Sequence, residues 1–258
     1  MPTTVHIVRH AQGVHNLSNA NQLFPDPELT PLGEQQCAQL RRSFDRHDKI
    51  THLLSSPMRR TLQTTLLSFS PALDPPSSLT VLAIPLLQEI STLPCDVGSP
   101  PAALARQFPP DKVDLSLLTD DWMDKSAAGP NAPEYGALER RAQRAREFIR
   151  DLGRGFEEKE GRAAEVVVVT HGGFAHFLTG DFEGSGDGGG TGWGNAEGRT
   201  FVFEEEGEGA RLRETGESWR GRRGSLTRLG EDEQRELRVA MEGVLKEEFG
   251  GEELGGEE

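Results

Sequence analysis

Apolar runs at 4–8, 51–54, 79–84 and 165–170 are short and rich in Val, Ile and Leu, the pattern of strands buried on both faces. A fifth run, 199–204, alternates, with Phe201 and Phe203 set against polar neighbours. Helical spacing fills the intervals. Residues 31–47 carry Pro31 in the first turn, Thr30 as N-cap, and Leu32, Cys37, Leu40 and Phe44 on one stripe. A second helix is expected at 58–69. A third, at 135–156, has Leu138, Ala142, Ala145, Ile149 and Leu152 on its apolar stripe and Arg140, Arg141, Arg144 and Arg146 as a solvated face. Strands alternating with helices predict an α/β fold with a mostly parallel central sheet and helices on both faces. Residues 21–30, 94–110 and the glycine-rich 184–198 read as loops that border a site, with Trp193 anchoring the last. A terminal helix is expected at 231–248. The domain is expected to span 1–205. The Glu-, Gly- and Arg-rich remainder, 206–258, reads as an acidic tail, partly helical or disordered.

The net charge of −14 disfavours a nucleic-acid partner, which calls for a basic face. Much of that acid lies beyond Glu204, so a cleft elsewhere can still be locally positive. Two cysteines, Cys37 and Cys95, suggest neither a disulfide scaffold nor a zinc site, and fit a reducing compartment. No secretory signal, lipidation motif or membrane-spanning run is read. The expectation is a soluble protein of the cytoplasm, with the nucleus as the alternative, no membrane partner, and no assigned oligomeric state.

The candidate chemistry sits at strand ends. The first strand stops on Arg9-His10 and opens into Ala11-Gln12-Gly13-Val14-His15-Asn16. The strongest strand stops on Thr170-His171-Gly172-Gly173. Such edges are where open α/β sheets bind ligands. A guanidinium beside an imidazole suits a phosphate: the fork takes its oxygens and the ring nitrogen attacks its phosphorus. His10 is the candidate nucleophile, provided its other nitrogen keeps a proton on an acceptor. Arg9 supplies charge and paired donors. His171, as an imidazolium, would donate to phosphate, with the amides of the following helix adding donors. Arg59 or Arg60, in Ser56-Pro57-Met58-Arg59-Arg60-Thr61, adds a second guanidinium; helix phase does not choose between them. Glu89, in Leu86-Leu87-Gln88-Glu89-Ile90, or Asp96 is the general acid for the leaving oxygen. Asn16 and His15 are placed at the pocket mouth, Asn16 as a phosphate donor. His6, His47 and His52 have no companion signal. No cluster has metal-ligand spacing, and no metal or other cofactor is expected.

With these residues in place, the chain resembles the histidine phosphatase superfamily, which includes phosphoglycerate mutases. Arg9-His10-Ala11 with Asn16 is similar to the family's Arg-His-Gly signature, in the form of the fungal and plant mutase-like branch. The segment from Ser56-Pro57 to Gln63-Thr64 resembles the second-arginine motif and selects Arg60. Leu87-Gln88-Glu89 with Pro94-Cys95-Asp96 resembles the acid segment and favours Glu89. Thr170-His171-Gly172-Gly173 resembles the second-histidine motif. Thr191-Gly192-Trp193-Gly194-Asn195-Ala196-Glu197 resembles a late structural motif of the branch. Alanine at 11 departs from the broad signature. The resemblance covers roughly residues 4–204. It implies a three-layer α/β/α sandwich and a two-step reaction: His10 takes the phosphoryl group while Glu89 protonates the leaving alcohol, then water activated by Glu89 releases phosphate. Arg9, Asn16, Arg60 and His171 would hold the phosphoryl oxygens.

Three activities compete. A phosphatase of a small phosphorylated metabolite is the first reading. A phosphoglycerate mutase needs added basic residues that retain a doubly charged intermediate, and the sequence offers none that stand out. A non-catalytic interaction module would have lost His10, Arg60 or His171, and all three are present.

Overall fold

The computed structural model describes residues 3–75, 79–185, 191–204 and 209–249. In chain order the elements are β1 (Thr4–Arg9), α1 (Pro31–Ser43), β2 (His52–Ser55), α2 (Arg59–Ser68), α3 (Ser70–Leu73), β3 (Val81–Ala83), α4 (Pro101–Gln107) and β4 (Val113–Asp114). They continue with α5 (Tyr135–Glu160), β5 (Glu165–Thr170), α6 (Gly172–Thr179), β6 (Gly198–Phe203), β7 (Leu212–Glu214), α7 (Gly216–Arg223) and α8 (Glu231–Phe249). They form a seven-stranded sheet in the order β4-β3-β2-β5-β1-β6-β7. The first five strands in sequence pair in parallel, and β6 and β7 add antiparallel.

β5 is the centre. Its Val166, Val167, Val168 and Val169 are all at 0% exposure, with alternate residues feeding the two cores. Val166 and Val168 join Val5, Ile7, Leu138, Ile149 and Phe174 on one face. Val167 and Val169 join Val8, Leu53, Met58, Leu62 and Phe69 on the other. Fully burying each such side chain stabilises the fold by about 1.5–3 kcal/mol. The result is the expected three-layer α/β/α sandwich.

Element bounds shift for local reasons. α1 is capped by Thr30, whose Oγ1 accepts from Gly33 N at 3.0 Å. It ends at Ser43, short of His47, because Phe44 turns extended and packs edge-on against His6 and Phe69. The helix expected at 58–69 stops at Ser68, and Pro71 starts the separate turn α3. α5 runs on to Glu160, where Gly161 adopts φ 68° as its left-handed cap. The strand expected at 79–84 shortens to β3, and the loop expected at 94–110 contains α4.

The solvated face assigned to α5 is corrected at two positions. Arg140 and Arg144 are exposed, but Arg141 is buried with its guanidinium 4.5 Å from the Phe174 ring centroid. Arg146 is half-buried and donates to the carbonyls of Phe177 and Gly209. The cause is phase: 141 and 146 flank the stripe 138/142/145/149.

The segment set apart by composition, 206–258, enters the same sheet where it is described. β7 pairs with β6, with Phe201 opposite Glu214. Leu212, Met241 and Leu245 join the core that contains β5. The boundary at 205/206 therefore falls between two paired strands. Among the described residues no helix is long and apolar enough to cross a membrane.

Candidate active site

The register of β1 on β5 creates the site. Arg9 stands opposite Thr170, and His10 N donates to Thr170 O at 2.9 Å, so His10 and His171 leave adjacent strands side by side. Their ring centroids are 5.2 Å apart and both side chains are buried. His10 Nδ1 lies 2.7 Å from Ala11 O. A carbonyl only accepts, so Nδ1 carries the proton and Nε2 keeps its lone pair. Burial, then Arg60, Arg9 and His15, hold the His10 pKa well below the usual histidine value. Ala11 is fully buried and its N–H donates to Thr64 Oγ1 at 3.0 Å, so the alanine in place of glycine fits this turn.

Arg60 and Arg59 separate cleanly. Arg59 turns to Asp26 and Glu28, 3.8 Å from each carboxylate. Asp26 also accepts from Arg59 N at 2.9 Å, closing the start of α2. Arg60 is completely buried and points into the site. It donates to Cys95 O at 2.7 Å, to Asp96 Oδ1 at 2.7 Å and to His171 Nδ1 at 3.1 Å. A guanidinium only donates, so His171 Nδ1 accepts and its proton sits on Nε2, which donates to Ser56 Oγ at 2.8 Å. The imidazolium expected of His171 is therefore not the form these partners select. Burial, then Arg60, His10, Lys125 and His15, hold its pKa well below the usual value. Ser56 was not singled out by sequence; its partner lies 115 positions away.

The two candidate acids occupy different settings. Burial alone would raise the Asp96 carboxyl, but Arg60, Lys125 and Ser91 hold its pKa below the usual range. Its oxygens are committed to Arg60 and, at 2.5 Å, to Ser91 Oγ. Asp96 thus aims Arg60. Glu89 reaches the start of α6, accepting from Gly173 N at 3.1 Å and Phe174 N at 2.9 Å. Gly173 leaves room for this carboxylate: a Cβ would stand 2.6 Å from Glu89 Oε1 and 2.9 Å from Ile90 Cδ1, so a side chain there would displace Glu89.

Two cations missed by sequence reading grip the backbone beneath Glu89. Lys125 donates to Glu89 O at 2.8 Å and Ser91 O at 2.7 Å, and burial lowers its pKa to about 7. Arg141 donates to Gln88 O at 3.0 Å, and burial lowers its pKa to about 9. Gln88 Nε2 adds a bond to Trp122 O at 3.0 Å. The phase of 141 beside the α5 stripe was a readable signal; Lys125 had none.

Arg9 donates to Trp193 O, and its Nε, like that of Arg60, is buried with no acceptor among the described residues. The loop 191–197 backs this turn. Glu197 O accepts from Arg9 N at 3.0 Å, and Asn195 Nδ2 donates to His10 O at 3.2 Å. Trp193 is buried under the Arg199 guanidinium, 3.7 Å from the ring, which supplies the expected anchoring. The rest of the loop expected at 184–198, residues 186–190, lies outside the described residues. Asn16 is exposed, and its Oδ1 accepts from Gly13 N at 3.0 Å, which fixes the other end of the amide as its NH2. His15 packs 5.3 Å from the His10 ring, its pKa lowered to about 3 by burial and Arg60. His6, His47 and His52 are elsewhere, His6 on Glu165, His47 against Phe44 and His52 against Phe156.

Holding His10, His15 and His171 neutral has a pH consequence. Below the unfolded histidine pKa, near 6.5, the unfolded chain takes up protons that the folded chain refuses. Stability is therefore present above about pH 6.5 and lost as pH falls below it. Urea unfolding between pH 7.5 and 5 is expected to lose up to about 1.4 kcal/mol per pH unit for each such histidine. His10→Gln should flatten that slope, and an unchanged slope would remove His10 from the account.

The family model for the histidine phosphatase superfamily (branch 1) matches residues 5–218. A phosphoglycerate mutase-like protein of Arabidopsis thaliana is 30% identical over 217 residues, covering 69% of this chain and 74% of that one. A protein of Schizosaccharomyces pombe named as a probable phosphatase is 36% identical over 108 residues, covering 41% of this chain and 50% of its own. Among solved structures, the ecdysone phosphate phosphatase of Bombix mori, in complex with tungstate, superposes with a TM-score of 0.53 at 15% identity. That match covers 88% of this chain and 98% of the other, and shows a shared fold.

Proposed function

The chain belongs to the histidine phosphatase superfamily, and from that premise we propose that it hydrolyses small phosphate monoesters through a phosphohistidine on His10. The observation that carries this reading is the His10 ring itself: Nδ1–H fixed on Ala11 O at 2.7 Å, Nε2 left to attack, and His171 5.2 Å away. In the first step Nε2 bonds to phosphorus and the ester P–O bond breaks. Glu89 gives its proton to the departing oxygen, releasing the alcohol. The phosphorylated ring carries positive charge, which the Ala11 carbonyl offsets through Nδ1–H. In the second step a water gives its proton to Glu89, its oxygen bonds to phosphorus, and the P–N bond breaks. Phosphate leaves and His10 returns to its neutral form.

Charge on the phosphoryl oxygens is met by Arg9 and Arg60, whose buried Nε–H groups have no acceptor among the described residues. Asn16 at the rim supplies a further donor, and His171, whose one N–H goes to Ser56 while the ring is neutral, adds one only when protonated. A phosphate dianion offsets the cations that hold His171 neutral, so binding favours its protonation. Asp96 acts through Arg60, and Glu89 is the acid and then the base.

The test is product analysis. Incubation with 3-phosphoglycerate and with p-nitrophenyl phosphate is expected to release inorganic phosphate. Conversion of 3-phosphoglycerate to 2-phosphoglycerate without net phosphate release would replace hydrolase by mutase.

A further inference from the structure

We propose that the alcohol part of the substrate is uncharged and largely apolar, and that it lies against a rim made by Leu17, Leu23, Phe24 and Leu93. This deepens the phosphatase reading above and rests on it.

The walls around the phosphate-handling residues are depleted of charge. Residues 11–25, 90–95 and 97–105 contain no Asp, Glu, Lys or Arg, in a chain in which those types make up 27%. The first of these segments carries His15 and Asn16; the other two flank Asp96, which holds Arg60. They also meet. Asn21 Nδ2 donates to Val14 O at 3.0 Å, folding the turn Asn19–Leu23 back over the His15 segment. That turn packs against Pro94–Asp96. On these joined turns Leu17 is 58% exposed, Leu23 69%, Phe24 56% and Leu93 40%. Scattered exposed apolar residues are ordinary; four on three adjoining turns beside a buried site mark a contact surface.

The nearby cations have other work. Lys125 spends its donors on Glu89 O and Ser91 O, and Arg59 faces Asp26 and Glu28. Arg9 and Arg60 serve the phosphoryl group. The inner wall presents Glu89, which is protonated when it serves as the acid, and Asp96, which is tied to Arg60, so neither offers positive charge to a second anionic group. A carboxylate or second phosphate on the leaving group therefore finds no free partner on these segments, whereas a hydrocarbon finds Leu and Phe.

Steady-state kcat/KM for ethyl, butyl, hexyl and octyl phosphate tests this, because the leaving oxygen is chemically alike along the series. Burial of a methylene limits the gain to about fourfold, and a half-open rim gives about twofold per methylene, so hexyl should exceed ethyl by on the order of tenfold. Hexyl phosphate should also exceed phosphoserine and 3-phosphoglycerate. In the Leu23→Ser/Phe24→Ser double variant, at two exposed positions, the hexyl-to-ethyl ratio should fall towards one. A flat series, an unchanged ratio in the double variant, or preference for the two anionic substrates would overturn the inference. Absence of phosphate release from p-nitrophenyl phosphate would instead overturn the phosphatase reading beneath it.

Discussion

Replacing His10 with alanine is expected to lower turnover of p-nitrophenyl phosphate by about 10⁴-fold or more, the scale at which loss of a covalent nucleophile disables an enzyme. The choice of substrate matters. Its leaving group needs no proton, so formation of nitrophenol in the first step reads attack on phosphorus without help from Glu89 as an acid. His10 is buried and fixed by Ala11 O. Its truncation leaves a cavity, but it also removes a ring that burial and Arg60 keep neutral at a cost. Unfolding should therefore remain cooperative, which circular dichroism checks directly. Acid quenching of the wild-type protein after brief exposure to labelled substrate should trap phosphate on the chain, and the variant should trap none. Turnover within tenfold of wild type in a folded His10→Ala protein would remove the phosphohistidine from the mechanism.

The placement of His10 was readable because it depends on strand ends. Two apolar runs each stop on a histidine, and parallel pairing of β1 with β5 turns that coincidence into adjacency. The fold class was readable for the same reason, since the strand–helix alternation is local. What escaped were contacts whose partner is a backbone carbonyl far along the chain. Lys125 reaches Glu89 O and Arg141 reaches Gln88 O, and no property of a lysine or arginine in sequence announces a carbonyl. Arg141 was assigned to solvent with Arg140 and Arg144, although its phase places it beside Leu138, Ala142 and Ala145. The strands β4 and β7 are two and three residues long, too short for alternation to register. In β7 the inward residues are Leu212 and Glu214, and Glu214 is buried because Arg222 neutralises it at 2.7 Å. A composition rich in Glu, Gly and Arg therefore concealed β7 and α7, whereas the helix expected at 231–248 is found as α8.

Glu89→Gln is expected to separate substrates by their leaving groups. Glutamine keeps the size of the side chain, and its Oε1 can still accept from Phe174 N, so α6 keeps its start. What it cannot do is give a proton to a departing oxygen. For an alkyl phosphate, whose alkoxide is a poor leaving group, the loss in kcat is expected to be about 10²–10⁴-fold, the range general acid catalysis supplies. For p-nitrophenyl phosphate, which leaves unassisted, the loss should be confined to the second step, where the same carboxylate takes the proton of water. The phosphohistidine should therefore accumulate in Glu89→Gln with p-nitrophenyl phosphate, seen as a burst of nitrophenol followed by a slow steady state. Gly173→Ala should move the same way by displacement, because the added methyl would stand 2.6 Å from Glu89 Oε1. Asp96→Asn should not, since its carboxylate is tied to Arg60 and Ser91; weaker substrate binding without leaving-group selectivity is its expected result. Equal losses of kcat/KM, which reads the first step, on both substrates in Glu89→Gln would remove Glu89 as the acid, and selectivity appearing in Asp96→Asn would transfer the role to Asp96.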